Sequence, residues 1–407
     1  MARMNRAGFC VVLLLLVPAL SASTGHDPGQ YNKEVAPYVA FLKTQKRGPV
    51  DYILDLFEKY DIVILCERFH PETTQYDLIY NLIKDKKFTD KVGHVFTEIG
   101  TSTNNAYLHD FMSTDGLSDA EADRKVMHLF RNLFWMPVWE TQNFFDFLKR
   151  LYALNRSLQA DLKIKISFSD MPFSWEGMNR EKYASFSNSL VQRDQVMAEQ
   201  IIEEFKEILR STQSRKKALV IMNYRHAFND RVKNAKGEKA NNAGRYIFEA
   251  FPGRVANVMI NSVALLPGSD DRKAVTAPIC DGKWDAAFRI AGNPDLGFDF
   301  KENVFGADHF DYFPFFKHDY TYHDVFTGFV FFGPLEKHKM VSGIPDLLRD
   351  GYDKVILERM AIAGSPVEES KAAEFIAEIE TRHETSYDNL PVLMGRIRSW
   401  LSQAEDH

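Results

Sequence analysis

The stretch DIVILCERFHPET (residues 61–73) changes character halfway along. Ile62 to Cys66 form an unbroken apolar run, as suits a strand buried on both faces. Glu67, Arg68 and His70 follow at once. A chain that leaves a core strand and immediately presents groups able to hold a proton or a metal suggests a site beyond the strand's carboxyl end.

The same pattern recurs along the chain. KVGHVFTEIG (91–100) predicts a second strand that delivers Glu98. DLKIKISFSD (161–170) alternates apolar and polar residues and ends in Ser169 and Asp170. KALVIMNYRHAF (217–228) predicts a fourth strand ending in Asn223, Arg225 and His226, and GRVANVMI (253–260) and TGFVFFG (327–333) predict two more. Apolar residues at helical spacing fill 50–60, 72–87, 103–113, 118–134, 140–155 and 193–211. Strands alternating with helices predict an α/β fold with a mainly parallel central sheet flanked by helices. The α/β domain is expected over 51–363, with a helical insertion at 101–160 as a lid or pocket wall. Residues 24–50 read as a polar leader, 270–288 as irregular, and 364–407 as a helical C-terminal tail packed outside.

With 407 residues and 45% hydrophobic composition, the chain can bury a large core. Its net charge of -6 gives no basis for a nucleic-acid partner. The basic start MARMNR, the apolar AGFCVVLLLLVPAL and the small residues SASTG have the three regions of a signal peptide, placed at 1–23. A secreted or periplasmic protein with no stable membrane span after cleavage is therefore expected. Cys66 and Cys280 remain; that compartment permits a disulfide, but a small buried thiol suits Cys66 equally. Asn155-Arg156-Ser157 matches the glycosylation acceptor pattern.

Each polar residue alone has a plain structural explanation. Glu98 could serve a helix first turn, His226 could be a satisfied core histidine, and Arg68 and Arg225 could be solvated. Asp170 could cap a turn before Pro172. Four parallel, adjacent strands would instead gather them at one edge, where they support hydrolysis. A histidine can take a proton from water near neutral pH, a carboxylate fixes its tautomer, and an arginine holds a substrate carboxylate or an oxyanion. By that logic Arg68, Asp170 and Arg225 are candidates to bind substrate. Two histidines with two glutamates (Glu67, His70, Glu98, His226) could also hold a divalent metal; no other cofactor is indicated. G-x-S-x-G, H-E-x-x-H and Walker motifs are absent from the sequence.

At these residues the chain resembles the erythromycin esterase family and, more distantly, the ChaN-like and TIKI-type proteins. CERFHPE is similar to the family's G-E-x-x-H, with Cys66 in place of glycine. HVFTEIG, WMPVWETQNFFDFLKRLYALN, ISFSD and HDVFTGFVFFGP stand where family blocks are expected. RDQVMAEQI is close to R-D-x-x-M-A-E-N, and NYRH keeps only the last histidine of H-N-x-H. The resemblance spans about residues 51–335. It implies hydrolysis of a small-molecule ester or lactone, with His70 as general base, Glu67 and Glu98 orienting it or the water, and His226 assisting. It also implies two alternatives: a ChaN-like haem, iron or small-ligand binding protein that has lost catalysis, and a TIKI-like metal-dependent hydrolase. For the first, ADHFDYFPFFKHDYTYHD (307–324) carries histidines among aromatic residues, although a packed aromatic loop explains it as well.

Overall fold

The computed structural model describes residues 32–139, 141–267, 274–313 and 319–402, so the expected signal peptide lies outside the described residues. The expected first strand is β1 (Ile62–Glu67), buried along its whole length. β2 (Gly93–Thr101), β3 (Lys165–Asp170), β4 (Lys217–Asn223) and β5 (Val255–Ile260) follow. β6 (Val263–Pro267) and β7 (Ala274–Pro278) form a separate antiparallel pair. β8 (Leu296–Asp299) and β9 (Gly328–Phe331) complete a seven-stranded sheet of order β3-β2-β4-β1-β5-β9-β8. All neighbours in it are parallel except β8, which runs antiparallel to β9. The fold is thus α/β with a mostly parallel central sheet.

The apolar run of β1 explains its central place. Ile62, Ile64 and Cys66 face one core layer with Met197, Ile201 and Phe205 of the helix Arg193–Arg210. Val63 and Leu65 face the other layer with Leu78, Ile79 and Leu82 of the helix Thr74–Ile83 and Phe147 and Leu148 of the helix Gln142–Ser157. Strands buried on both faces need helices on both sides, and the alternating chain supplies them. Cys66 points into the first layer, so the side chain that replaces the expected glycine packs in the core. Cys66 and Cys280 are both free thiols.

Three expectations change in detail. Residues 24–50 are not all leader: Ala36–Thr44 is a helix that buries Tyr38, Val39 and Leu42 in the main core. Within 270–288 lie β7 and the start of a helix, Lys283–Ile290, whose Trp284, Ala287 and Phe288 are buried. In the tail, the helix Leu390–Ser399 buries Leu393 and Ile397 against Val263 and Ala286, while β10 (Met340–Ser342) pairs with β11 (His383–Thr385). The docking residues do fall at helical spacing, but in helices of only 8 to 10 residues, which give a short periodic signal.

β3 is an edge strand, and an open edge invites pairing with other chains. Here two asparagine side chains close it. Asn105 accepts from the Phe168 N–H (2.8 Å) and donates to the Phe168 carbonyl (2.9 Å). Asn155 does the same for Ile164, accepting at 2.8 Å and donating at 3.0 Å. Each carboxamide imitates the peptide group of a neighbouring strand. Asn155 is also the acceptor of the N-R-S pattern, yet it is 1% exposed and its Nδ2 is committed to Ile164. Protein made in a glycosylating host should carry no glycan at Asn155, as read by intact mass. Asn155→Ala should lower the urea-unfolding free energy by about 1–3 kcal/mol, because a buried backbone donor and acceptor lose their partner. A glycan there, or unchanged stability, contradicts this account of the edge.

Candidate active site

The carboxyl ends of β1, β2, β3 and β4 meet at one rim of the sheet, and a break in β2 shapes that rim. Thr97 lies opposite Phe168, but pairing resumes only at Thr101 opposite Asp170, so β2 carries extra residues there. Such bulges re-aim side chains next to functional sites. Gly100 makes this one possible: its φ is +108°, and a Cβ would meet the Phe168 ring at 2.4 Å. Glu98 lies within the bulge, beyond the last β2–β4 pair at Thr97. Its Oε2 accepts the Asn223 N–H at 2.7 Å, so the side chain takes the place of the missing ladder carbonyl.

Around Glu98 runs a chain of alternating acids and imidazoles. Tyr76 donates its hydroxyl to Glu67 Oε1 at 2.6 Å. Glu67 Oε2 lies 3.1 Å from His70 Nδ1. His70 Nε2 faces Glu98 Oε1 at 3.6 Å, and His226 Nε2 approaches the same oxygen at 3.3 Å. His226 Nδ1 then meets Asp194 Oδ1 at 2.7 Å, and that oxygen also accepts the Ala243 N–H at the start of the helix Ala243–Ala250. Arg193 crosses this chain. It donates to Glu98 Oε1 at 3.0 Å and forks onto Asp170 at 2.9 and 3.0 Å.

Burial and charge act against each other here. Burial alone would raise the Glu98 carboxyl, but His226 and His70 beside it hold it well below the usual carboxylate range. Burial would lower both imidazoles; Glu98 and Glu67 instead push His70 up to about 10, and Glu98 and Asp194 push His226 up to about 9. Burial opposes the Arg193 charge as well, but Glu98 and Asp170 hold the guanidinium protonated. At Asp170 burial wins over Arg193, and its carboxyl is raised. Both shifts favour the protonated imidazole in the metal-free site, while Arg193 Nη1, a donor only, lies 3.3 Å from His226 Nε2 and favours an unprotonated nitrogen there.

The structure brings together Glu67, His70, Glu98, His226 and Asp170. The other two expected residues lie elsewhere. Arg68 is fully buried behind the strand ends. It donates to Asn261, Glu72, Thr74 and the Phe332 carbonyl at 2.6–2.9 Å, which leaves it no freedom to bind substrate. Arg225 is exposed, and its Nε donates to Asn223 Oδ1 at 3.1 Å, with no bond to the acids and imidazoles among the described residues. Sequence reasoning passed over Arg193, Asp194 and Tyr76. Arg193 and Asp194 open the helix Arg193–Arg210, and the RDQVMAEQI block quoted above was the available signal. Tyr76 gave none, because it sits among helix-core positions.

Glu67, His70 and Glu98 offer ligand atoms within 4.8 Å of one another, so this donor set can hold a divalent ion. His226, expected as a fourth ligand, does not belong to that group. In the 307–324 segment, Phe310, Tyr312 and Tyr322 are buried in the core, and Tyr312 stacks on Tyr224 at 4.1 Å; His318 lies outside the described residues.

No protein-family model matches the chain, and neither does any curated protein. Among solved structures it is similar to a succinoglycan biosynthesis protein (10% identity over 74% of this chain and 97% of that one, TM-score 0.46). It is also similar to an erythromycin esterase, EreC, in its open conformation (11% identity, 74% and 96% covered, TM-score 0.42). A third is the haem-binding ChaN of Campylobacter jejuni (14% identity, 55% and 88% covered, TM-score 0.31). Likenesses this distant assign no activity, and the function proposed below rests on the chain's own residues.

In chelator-treated protein, the ring-proton resonances of His70 and His226 should stay in the protonated position past pH 8. In Glu98→Gln both should titrate at lower pH, because the shared negative charge is gone. Titration of both imidazoles near pH 6.5 in the unaltered protein would contradict the charge pattern. The linked effect on folding has a definite sign. Raised histidine pKa values add stability that is complete below their ordinary value of 6.5 and is lost as pH rises through about 9 to 10.

Proposed function

We propose that the chain is a hydrolase that cleaves an ester or lactone with water activated at His70. The observation that carries this is the anchoring of one face of the imidazole and the freedom of the other. Tyr76 holds Glu67, Glu67 holds Nδ1, and Nε2 faces Glu98 across 3.6 Å, longer than a hydrogen bond. A water lodged at Nε2 meets the requirement for a base within reach of the proton it removes. Water oxygen adds to the acyl carbon, its proton passes to Nε2, the acyl C–O bond breaks, and the proton goes to the departing alkoxide. Arg193 and His226 keep Glu98 ionised, and Glu98 with Asp194 holds the His226 imidazole in place.

A divalent ion held by Glu67, His70 and Glu98 is the second reading, favoured by their mutual distances. It would supply Lewis-acid activation of water at the same place. Export, inferred from the N-terminal segment, belongs to the same proposal and is tested by N-terminal sequencing of the mature protein.

An esterase and lactonase panel, run with and without chelator, tests the two readings together. Turnover that survives the chelator supports His70 as base, whereas turnover that disappears and returns with added metal supports the ion. His70→Asn should keep the fold by circular dichroism and lose at least about a hundredfold in rate, the usual contribution of a positioned base. Because His70 must lose its proton before it accepts one, metal-free turnover should climb from pH 7 towards about 10. A rate independent of pH across that range, or full activity in His70→Asn, refutes His70 as the base.

A further inference from the structure

His70 stands on a short turn between β1 and the helix Thr74–Ile83. Four successive backbone carbonyls of that turn are each held by a separate donor. The Arg68 carbonyl accepts from Asn223 Nδ2 at 2.8 Å, and the Phe69 carbonyl from Gln75 Nε2 at 2.8 Å. The His70 carbonyl accepts from Asn143 Nδ2 at 2.6 Å, and the Pro71 carbonyl from the Val341 N–H at 2.8 Å. Three of the four donors are side-chain carboxamides, brought by the end of β4 and by two helices.

Asn143 has the most direct hold on His70. It is 3% exposed. Its Nδ2 spans the carbonyls of His70 and Glu72, at 2.6 and 3.1 Å, and its Oδ1 accepts the Phe144 N–H at 3.0 Å. That N–H lies in the first turn of the helix Gln142–Ser157, where backbone donors have no partner within the helix. Donors and acceptors together settle which way the carboxamide faces, since its NH2 group meets two carbonyls and its oxygen meets an N–H. The same helix buries Phe144, Phe147 and Leu148 in the core, so the carboxamide stands on a rigid support.

The imidazole needs that support because its two nitrogens are held unequally. Glu67 fixes Nδ1, whereas Nε2 stands 3.6 Å from Glu98 Oε1, beyond hydrogen-bond length. The position of the His70 main chain then decides how wide that gap is. A catalytic group displaced by about 1 Å can lose on the order of a hundredfold in rate. A freed turn would let Nε2 close onto Glu98 or draw away from it. We infer, resting on the hydrolase reading above, that Asn143 is a positioning residue: it holds the gap beside His70 Nε2 at the width that a reacting water needs.

Asn155 provides a matched control. It is 1% exposed and likewise accepts one N–H, from Ile164, and donates to two carbonyls, Ile164 and Met112, but it does so at the border of β3. Asn143→Ala and Asn155→Ala should therefore lose comparable unfolding free energy in urea, and turnover should separate them. With p-nitrophenyl acetate as the probe and the His70→Asn rate subtracted as background, Asn143→Ala should lose at least about tenfold in kcat with KM within about twofold. Asn155→Ala should keep both constants. Asn143→Ser takes the place of Asn143→Ala if the latter does not fold. Unchanged kcat in the folded Asn143 variant, or the same loss in Asn155→Ala, overturns the assignment. If the unaltered protein cleaves this ester no faster than His70→Asn, the hydrolase reading fails for it by itself. The positioning is then judged by NMR of chelator-treated protein. The His70 ring-proton resonances should shift or broaden in the Asn143 variant and stay in place in Asn155→Ala. Resonances unmoved in the Asn143 variant overturn the assignment.

Discussion

A carboxylate sealed inside a protein is tolerable only when positive charge and hydrogen-bond donors surround it, and Glu98 meets that condition in full. Arg193, the Asn223 N–H and the two imidazoles all converge on it. Each of these groups comes from a different part of the chain: β1's exit, the end of β4, the turn after it and the start of the helix Arg193–Arg210. Those segments have to meet at one rim because that single charge has no alternative partner. Networks of this kind do not necessarily add to stability, since the cost of dehydration offsets much of the attraction. Their value is in fixing one arrangement of groups, which the proposed water activation requires.

Much of this was legible in the sequence. Apolar runs at 62–66 and 218–222 have the length and composition of doubly buried strands, the alternation at 164–170 that of a half-buried one, and the polar residues that follow marked the carboxyl ends. Glu67, His70, Glu98, Asp170 and His226 were visible on that logic alone. Arg68 misled, because an arginine beside strand-end acids looks available until its partners are known. Those partners, Asn261 and Phe332, are far off in sequence. The role of Arg193 was hidden for the same reason, since nothing local shows that a helix start will reach two strands at once. The bulge in β2 could not be read either: Gly100 signals a special backbone position, but not which carboxylate that position will swing into place.

The aromatic loop of Phe134, Trp135 and Trp139 and the acid–imidazole chain lie side by side, in contact at His70 and Arg193. The chain supplies fixed charge and proton sites, and the loop supplies flat faces. Small-molecule sites commonly have this division, with apolar walls and a few placed polar groups. Trp139 is where the loop touches His70, its ring edge-on to the imidazole.

The two carboxamides at the border of β3 would each be lost to slow covalent chemistry if they deamidated. Asn105 and Asn155 each need an NH2 group aimed at a backbone carbonyl. Spontaneous loss of ammonia would turn that donor into a negatively charged oxygen facing another oxygen, and the resulting repulsion would pry the border open. Asparagine is among the heat-sensitive residues for this reason. Helical backbone and hydrogen bonds at both ends of each carboxamide hold these two asparagines away from the geometry that this reaction needs, so the border is protected while the fold stays closed.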